Sequence, residues 1–158
     1  MNIRDSEDAR NLDLGDVLKM VENLADQIRP HMAKRDENGN FIGKGYRSMY
    51  PVLQGGLMVA GMLYFRTGLP INNYVESDQL IVDDIIRTGE TLYPHRAHDI
   101  AVLVSSPDER VHDVEPTYSV LETSDEIIFP WYRSTEEYAQ FKLDWITNRD
   151  RYNKIWAD

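Results

Sequence analysis

The sequence predicts an α/β protein built on a mainly parallel, twisted sheet with helices on both faces. Three observations predict it. Short apolar runs at residues 50–53, 71–75, 79–82, 100–104 and 126–129 alternate with helical or irregular stretches over short loops, the pattern of strands joined by crossovers. The first run stops at Gln54-Gly55-Gly56 and gives way at once to helical sequence, so strand, glycine turn and helix follow one another. The third run ends on two adjacent aspartates, Asp83 and Asp84, with a small-residue loop behind them. Ligands on such sheets bind at the carboxyl ends of strands, which makes both loops candidate sites.

Each element has its own signal. Residues 1–11 are polar and read as a mobile arm or a surface-packed lead-in. Leu14, Val17, Leu18, Val21, Leu24, Ala25 and Ile28 recur at helical spacing, with Asp13 as cap and Pro30 as terminator. Asn38-Gly39 marks a turn, the expected tip of a hairpin. Leu57, Val59, Ala60, Met62, Leu63 and Tyr64 form a mostly buried helix that should stop at Gly68. Arg87-Thr88-Gly89-Glu90-Thr91 is a second glycine turn, followed by a short irregular piece cut by Pro94. A C-terminal helix is expected over 134–157, capped by Ser134 or Thr135, whose aromatic stripe from Tyr138 to Trp156 either packs on the domain or forms a dimer contact.

Composition narrows the function classes. At 158 residues the chain is long enough for one sizeable core and is expected to be a single domain over 1–158. Its 27 acidic residues outnumber 17 Lys and Arg, a formal net charge of −10 that argues against nucleic-acid or anionic-membrane partners. Cysteine is absent, which excludes disulfides, thiolate catalysis and Cys-based zinc sites and fits a reducing compartment. Neither a signal-peptide core nor the roughly 20 apolar residues of a membrane span is present, so a soluble, cytoplasmic protein is expected. P-loop, dinucleotide and serine-hydrolase signatures are missing as well.

The chemistry concentrates in Leu80-Ile81-Val82-Asp83-Asp84-Ile85-Ile86-Arg87-Thr88-Gly89-Glu90-Thr91-Leu92. An apolar strand here delivers two carboxylates to its end, and the loop behind them offers backbone N–H groups and hydroxyls to a phosphate. Carboxylates alone would repel that anion. They make sense where they hold sugar hydroxyls or a hydrated Mg²⁺ that itself binds a polyphosphate.

This window resembles the phosphoribosyl pyrophosphate (PRPP) motif of the type I phosphoribosyltransferases. The resemblance implies that Asp83 and Asp84 engage the ribose and Mg²⁺, and that Thr88, Gly89, Glu90 and Thr91 hold the 5′-phosphate. Upstream, Tyr50-Pro51-Val52-Leu53-Gln54-Gly55-Gly56-Leu57 is similar to the family's pyrophosphate loop, which implies roles for Leu53, Gln54, Gly55 and Gly56 and a cis Leu53-Gln54 peptide. Ile127-Ile128-Phe129-Pro130-Trp131 resembles a late segment of the xanthine–guanine type and related purine enzymes, which implies base contacts from Glu126, Ile127 and Trp131.

Departures from the pattern accompany the matches. Gln54 stands where purine enzymes usually carry Lys or Arg, Arg87 where many carry Asp, and Ser105-Ser106 where a Lys is common. Arg87 is expected either to lend positive charge to a phosphate or to be a solvated turn residue. The stretch from Asn72 to Gln79 is too short for the family's mobile closing loop, so a short or missing hood and flexible loop are expected. The resulting expectation is a homodimeric, Mg²⁺-dependent phosphoribosyltransferase of purine salvage, joining PRPP to a purine-like nucleobase with pyrophosphate release. Two alternatives stay open: a non-catalytic PRPP- or nucleotide-binding regulator on the same fold, and an enzyme acting on another phosphoribosyl compound.

Overall fold

The structure, a computed structural model, describes residues 9–131. The expected C-terminal helix with its aromatic stripe lies outside the described residues. In chain order the elements are β1 (Ala9–Asn11), α1 (Leu14–Ile28), β2 (Lys34–Arg35), β3 (Phe41–Ile42), β4 (Ser48–Pro51) and α2 (Gly55–Thr67). They continue with β5 (Gln79–Ile86), β6 (Asp99–Ser105), β7 (Leu121–Glu122) and β8 (Glu126–Ile128). The chain divides into two compact units, residues 19–124 and the residues on either side of them.

In the larger unit β4, β5, β6 and β7 form a wholly parallel sheet in that order. Its centre is apolar on both faces: Leu80, Ile81 and Val82 of β5, and Ala101, Val102, Leu103 and Val104 of β6, are all fully buried. Such doubly buried strands are what a parallel sheet covered by its crossovers requires. Ile71 makes a parallel bridge to Met49 on the free edge of β4. The chain therefore runs outward from β4 to Ile71, then returns to β5 on the other side of β4. That reversal is a topological switch point, and it lies between β4 and β5.

Two strand expectations change. The run at 71–75 pairs only through Ile71, because polar side chains take over the backbone beyond it. Asn72 Nδ2 and Ser48 Oγ both donate to Glu76 Oε1 at 2.7 and 2.8 Å, Glu76 N donates to Gln79 Oε1 at 3.0 Å, and Gln79 Nε2 donates to the Tyr74 carbonyl at 3.0 Å. Local side-chain bonds of this kind offer the backbone an alternative to a ladder. The run at 79–82 is longer than expected: β5 continues through both aspartates to Ile86, since β6 keeps pairing with it as far as Ile86↔Ser105.

The helices follow their signals. Asp13 Oδ1 accepts the Asp16 N–H at 2.7 Å while Asp16 Oδ2 accepts the Asp13 N–H at 3.0 Å, a reciprocal cap at the start of α1. Val17, Val21, Leu24, Ala25 and Ile28 are buried, whereas Leu14 and Leu18 of the expected stripe are exposed. α2 packs on β4 and β5 and ends at Gly68, whose φ of 72° lets its N–H reach the Tyr64 carbonyl at 2.8 Å. β2 and β3 form the hairpin expected around Asn38-Gly39. In the smaller unit, residues 9–11 of the expected arm are β1, paired in parallel with β8.

Replacing the fully buried Ile100 by Ala should cost about 2–5 kcal/mol by urea denaturation. Replacing Phe65, which is 85 % exposed on α2, by Ser should stay within about 0.5 kcal/mol.

Candidate functional site

At the switch point, β4 feeds a tight loop into α2. Val52 N extends the β4–β5 ladder by donating to the Val82 carbonyl at 2.8 Å, and the Leu53-Gln54 peptide is cis. Gly56 N then donates to the Val52 carbonyl at 2.9 Å and Leu57 N to that of Gln54 at 3.0 Å, which starts the helix. No side chain fits at the two glycines. A Cβ on Gly55 would sit 1.9 Å from Asp84 Oδ2, and one on Gly56 would sit 2.4 Å from the Val82 carbonyl oxygen. The bare backbone of the first loop thus lies directly against the acidic pair in the C-terminal half of β5.

Asp83 and Asp84 are both buried, at 8 % and 7 % exposure. Asp83 Oδ1 accepts the Asp84 N–H and Asp84 Oδ1 accepts the Ile85 N–H, each at 2.8 Å. Burial pushes the Asp83 carboxyl well above its ordinary value, and the neighbouring Asp84 charge and a hydrogen bond to that carboxyl push it further. A cation or hydroxyl donors at this spot would relieve the repulsion. Among the described residues no group of three or more His, Cys, Asp or Glu could hold a metal ion. The donor set is therefore two carboxylates, which suits a hydrated Mg²⁺ shared with a ligand's phosphates rather than an ion caged by protein alone.

The second loop leaves β5 at Arg87. Gly89 has a φ of 82°, and its Cβ position lies 2.6 Å from Val114 Cγ1, so only glycine fits there. Thr88, Glu90 and Thr91 are exposed, and Thr88 Oγ1 accepts the Glu90 N–H at 3.2 Å. Arg87 is not a solvated turn residue. Its Nη1 pairs with Glu109 Oε2 at 2.9 Å and reaches Ser106 Oγ at 3.4 Å, while Ser106 Oγ itself donates to the Thr123 carbonyl at 2.7 Å. Ser105 and Ser106 are both buried.

The structure brings together Gly55, Gly56, Asp83 and Asp84, with the Arg87–Thr91 loop continuing from the same strand. Glu126, Ile127 and Trp131 belong to the smaller unit. There Ile127 is buried in β8, Glu126 is half-buried and the Trp131 ring stacks on Phe129 at 4.7 Å. Of the basic residues near the first glycine loop in sequence, Arg66 sits in the last turn of α2 paired with Glu22, and Arg47 donates to the Gly43 carbonyl before β4 begins. Neither position is at the α2 end where the glycine loop lies. His95 is held below its ordinary pKa by burial and by His98, whose ring bonds the Glu76 carbonyl at 2.9 Å. Arg110 was invisible to motif reading: nothing in its surroundings marks it, and only the fold carries it to the Arg87 carbonyl.

Comparison of the sequence with family models and with curated proteins finds no match. Solved structures do match. A purine phosphoribosyltransferase from Pyrococcus horikoshii OT3 superposes with a TM-score of 0.60 at 23 % identity, over 78 % of this chain and 94 % of that one. The Helicobacter pylori xanthine-guanine-hypoxanthine phosphoribosyltransferase gives a TM-score of 0.57 at 16 % identity, over 78 % and 92 %. A hypothetical protein from Neisseria gonorrhoeae, solved with bound ppGpp, gives 0.64 at 15 % identity, over 89 % and 97 %. The fold is that of the type I phosphoribosyltransferases.

The raised Asp83 pKa makes a signed prediction. Below the ordinary carboxylate value of 3.8 both folded and unfolded chains carry the proton and the full contribution is present; as pH rises, the unfolded chain releases it first and the contribution is lost through the raised folded pKa. In metal-free buffer Asp83→Asn should therefore gain stability over the natural chain as pH rises from 4 towards 8, measured by urea denaturation across that range. A constant difference would contradict the shift.

Proposed function

We propose that this protein binds PRPP together with Mg²⁺ and transfers its phosphoribosyl group to a nucleobase, releasing pyrophosphate. One observation carries the reading: the backbone of Gly55 lies against the Asp84 carboxylate, so a glycine turn and a buried acidic pair meet at the switch point. The two ends of PRPP, a diphosphate on C1 and a phosphate on C5, match the two glycine loops that flank this pair.

In that assignment Asp83 and Asp84 would accept hydrogen bonds from the ribose hydroxyls and would be the residues that hold Mg²⁺. When bound, Mg²⁺ offsets the negative charge that collects on the departing diphosphate. The Gly55-Gly56 turn puts no side chain between that group and the acidic pair. Thr88, Gly89, Glu90 and Thr91 anchor the 5′-phosphate, so C1 is presented at fixed distance to the incoming nitrogen. The oxocarbenium-like charge that develops on the sugar is met by the adjacent carboxylates. A purine is the favoured acceptor because the enzymes with this fold named above act on purines and because residues 127–131 resemble a segment of such enzymes. A homodimer in the cytoplasm, working in nucleotide salvage, completes the proposal. No described helix is long and apolar enough to cross a membrane.

A second reading, a non-catalytic nucleotide-binding regulator, is favoured by the neutral Gln54, by the engagement of Arg87 with Glu109, and by the ppGpp bound to the Neisseria protein. Pyrophosphate release separates the two. With PRPP, Mg²⁺ and each of adenine, hypoxanthine, guanine, xanthine, uracil and orotate, one base should support release, and Asp84→Asn should lower that rate about 100-fold or more. Silence with every base, together with tight binding of a guanosine polyphosphate, would establish the regulator instead.

A further inference from the structure

The segment after β6 closes over the second glycine loop from one side. Arg110, between the exposed Glu109 and Val111, keeps only 9 % of its side chain exposed. Its Nη1 donates to the Arg87 carbonyl, its Nη2 donates to the buried Ser105 Oγ at 3.1 Å, and its Nε and Nη2 fork onto Glu115 at 3.1 and 3.4 Å. The next two amides, Val111 and His112, both donate to the Thr88 carbonyl, at 2.9 and 3.0 Å. One step earlier, Ser106 N donates to the Ile86 carbonyl at 2.9 Å. Three successive carbonyls, the last of β5 and the first two of the loop, are thus held by residues 106–112.

Peptide geometry converts this into a statement about donors. In a planar trans peptide the N–H points opposite to the preceding C=O. With the carbonyls of Ile86, Arg87 and Thr88 turned towards residues 106–112, the N–H groups of Arg87, Thr88 and Gly89 turn away from them. The brace also packs. Val114, buried in one apolar cluster with Ile81, Ile86 and Leu92, sits where a Gly89 side chain would be, and the Arg110 Cδ lies 3.3 Å from the same point.

We infer that Arg110 is a positioning residue for the 5′-phosphate of PRPP, acting through the carbonyl of Arg87 to hold the Arg87–Gly89 amides in a phosphate-binding orientation; this rests on the PRPP reading above. A guanidinium suits the task because its planar fork bonds the loop carbonyl, Ser105 and Glu115 at once, whereas an ammonium has no such fixed geometry. Glu115 in turn fixes the guanidinium from the solvent side. Arg110 itself touches no reacting atom.

The test compares ribose 5-phosphate, whose phosphate occupies this loop, with Mg²⁺-pyrophosphate, which is assigned to the acidic pair and the Gly55-Gly56 loop and does not reach this one. Affinities are measured by calorimetry for the natural chain, Arg110→Met, Arg110→Lys and Glu115→Gln, with melting temperatures alongside. Arg110→Met should weaken ribose 5-phosphate about 10- to 100-fold, the scale of lost hydrogen bonds to a charged donor, and leave pyrophosphate unchanged. Arg110→Lys should recover part of the loss, Glu115→Gln should show a smaller loss of the same kind, and KM for PRPP should move more than kcat. If Arg110→Met does not fold, the Lys and Gln variants decide by the same contrast. Equal loss of both ligands, or no loss of ribose 5-phosphate, overturns the inference while the PRPP reading stands. Failure of the natural chain to bind either ligand overturns that reading and the inference with it.

Discussion

Two adjacent carboxyl groups buried within the C-terminal half of an apolar strand are the constraint on which the rest of this structure turns. Each desolvated carboxylate is costly, and placing a second beside it raises the cost. The protein meets part of it with main-chain donors, the N–H groups of Asp84 and Ile85. The remainder shows as the raised affinity of Asp83 for its proton. A fold that only needed to be stable would place Asn, Thr or Val at these positions. The pair makes chemical sense where a ligand brings hydroxyl donors and a cation to it.

Around that pair the backbone is kept bare and pointed. Gly55 and Gly56 are glycines because α2 starts against the acidic pair and the Val82 carbonyl, and any Cβ would collide there. Gly89 is a glycine because Val114 occupies the space beside it. Both loops thus trade side chains for main-chain polar groups. The parallel sheet places them together: the strand order reverses between β4 and β5, and each loop is the direct continuation of one of those two strands. The connection from Ile71 to β5 is short and fixed by the Ser48, Asn72, Glu76 and Gln79 network.

Much of this was legible in the sequence, because strand, glycine turn and helix each leave a local signature. Asp83-Asp84 and the Thr88-Gly89 loop stood out by residue type and order, and the resemblance to type I phosphoribosyltransferase motifs joined Gln54-Gly55-Gly56 to them. Other features depend on contacts between residues far apart in the chain and leave no local trace. The partners of Arg87 lie about 20 residues away, so its ion pair with Glu109 could not be read from the turn it occupies. Arg110 looks like any loop arginine until β6 carries it beneath the Arg87 carbonyl. The run at 71–75 has strand composition, yet Glu76 and Gln79 capture its polar groups and leave a single bridge. Ala9–Asn11 carries no strand signal and is a strand only because β8 supplies a parallel partner.

The central claim is that the Gly55-Gly56 turn, the Asp83–Asp84 pair and the Thr88-Gly89 loop are one ligand site. The most direct test is the amide NMR spectrum of the isotope-labelled protein, titrated with PRPP in the presence and absence of Mg²⁺. The account predicts that Gly55, Gly56, Asp84, Thr88 and Gly89 shift together along one binding curve, with tighter binding when Mg²⁺ is present. Shifts confined to one loop, or centred elsewhere in the sheet, would contradict it.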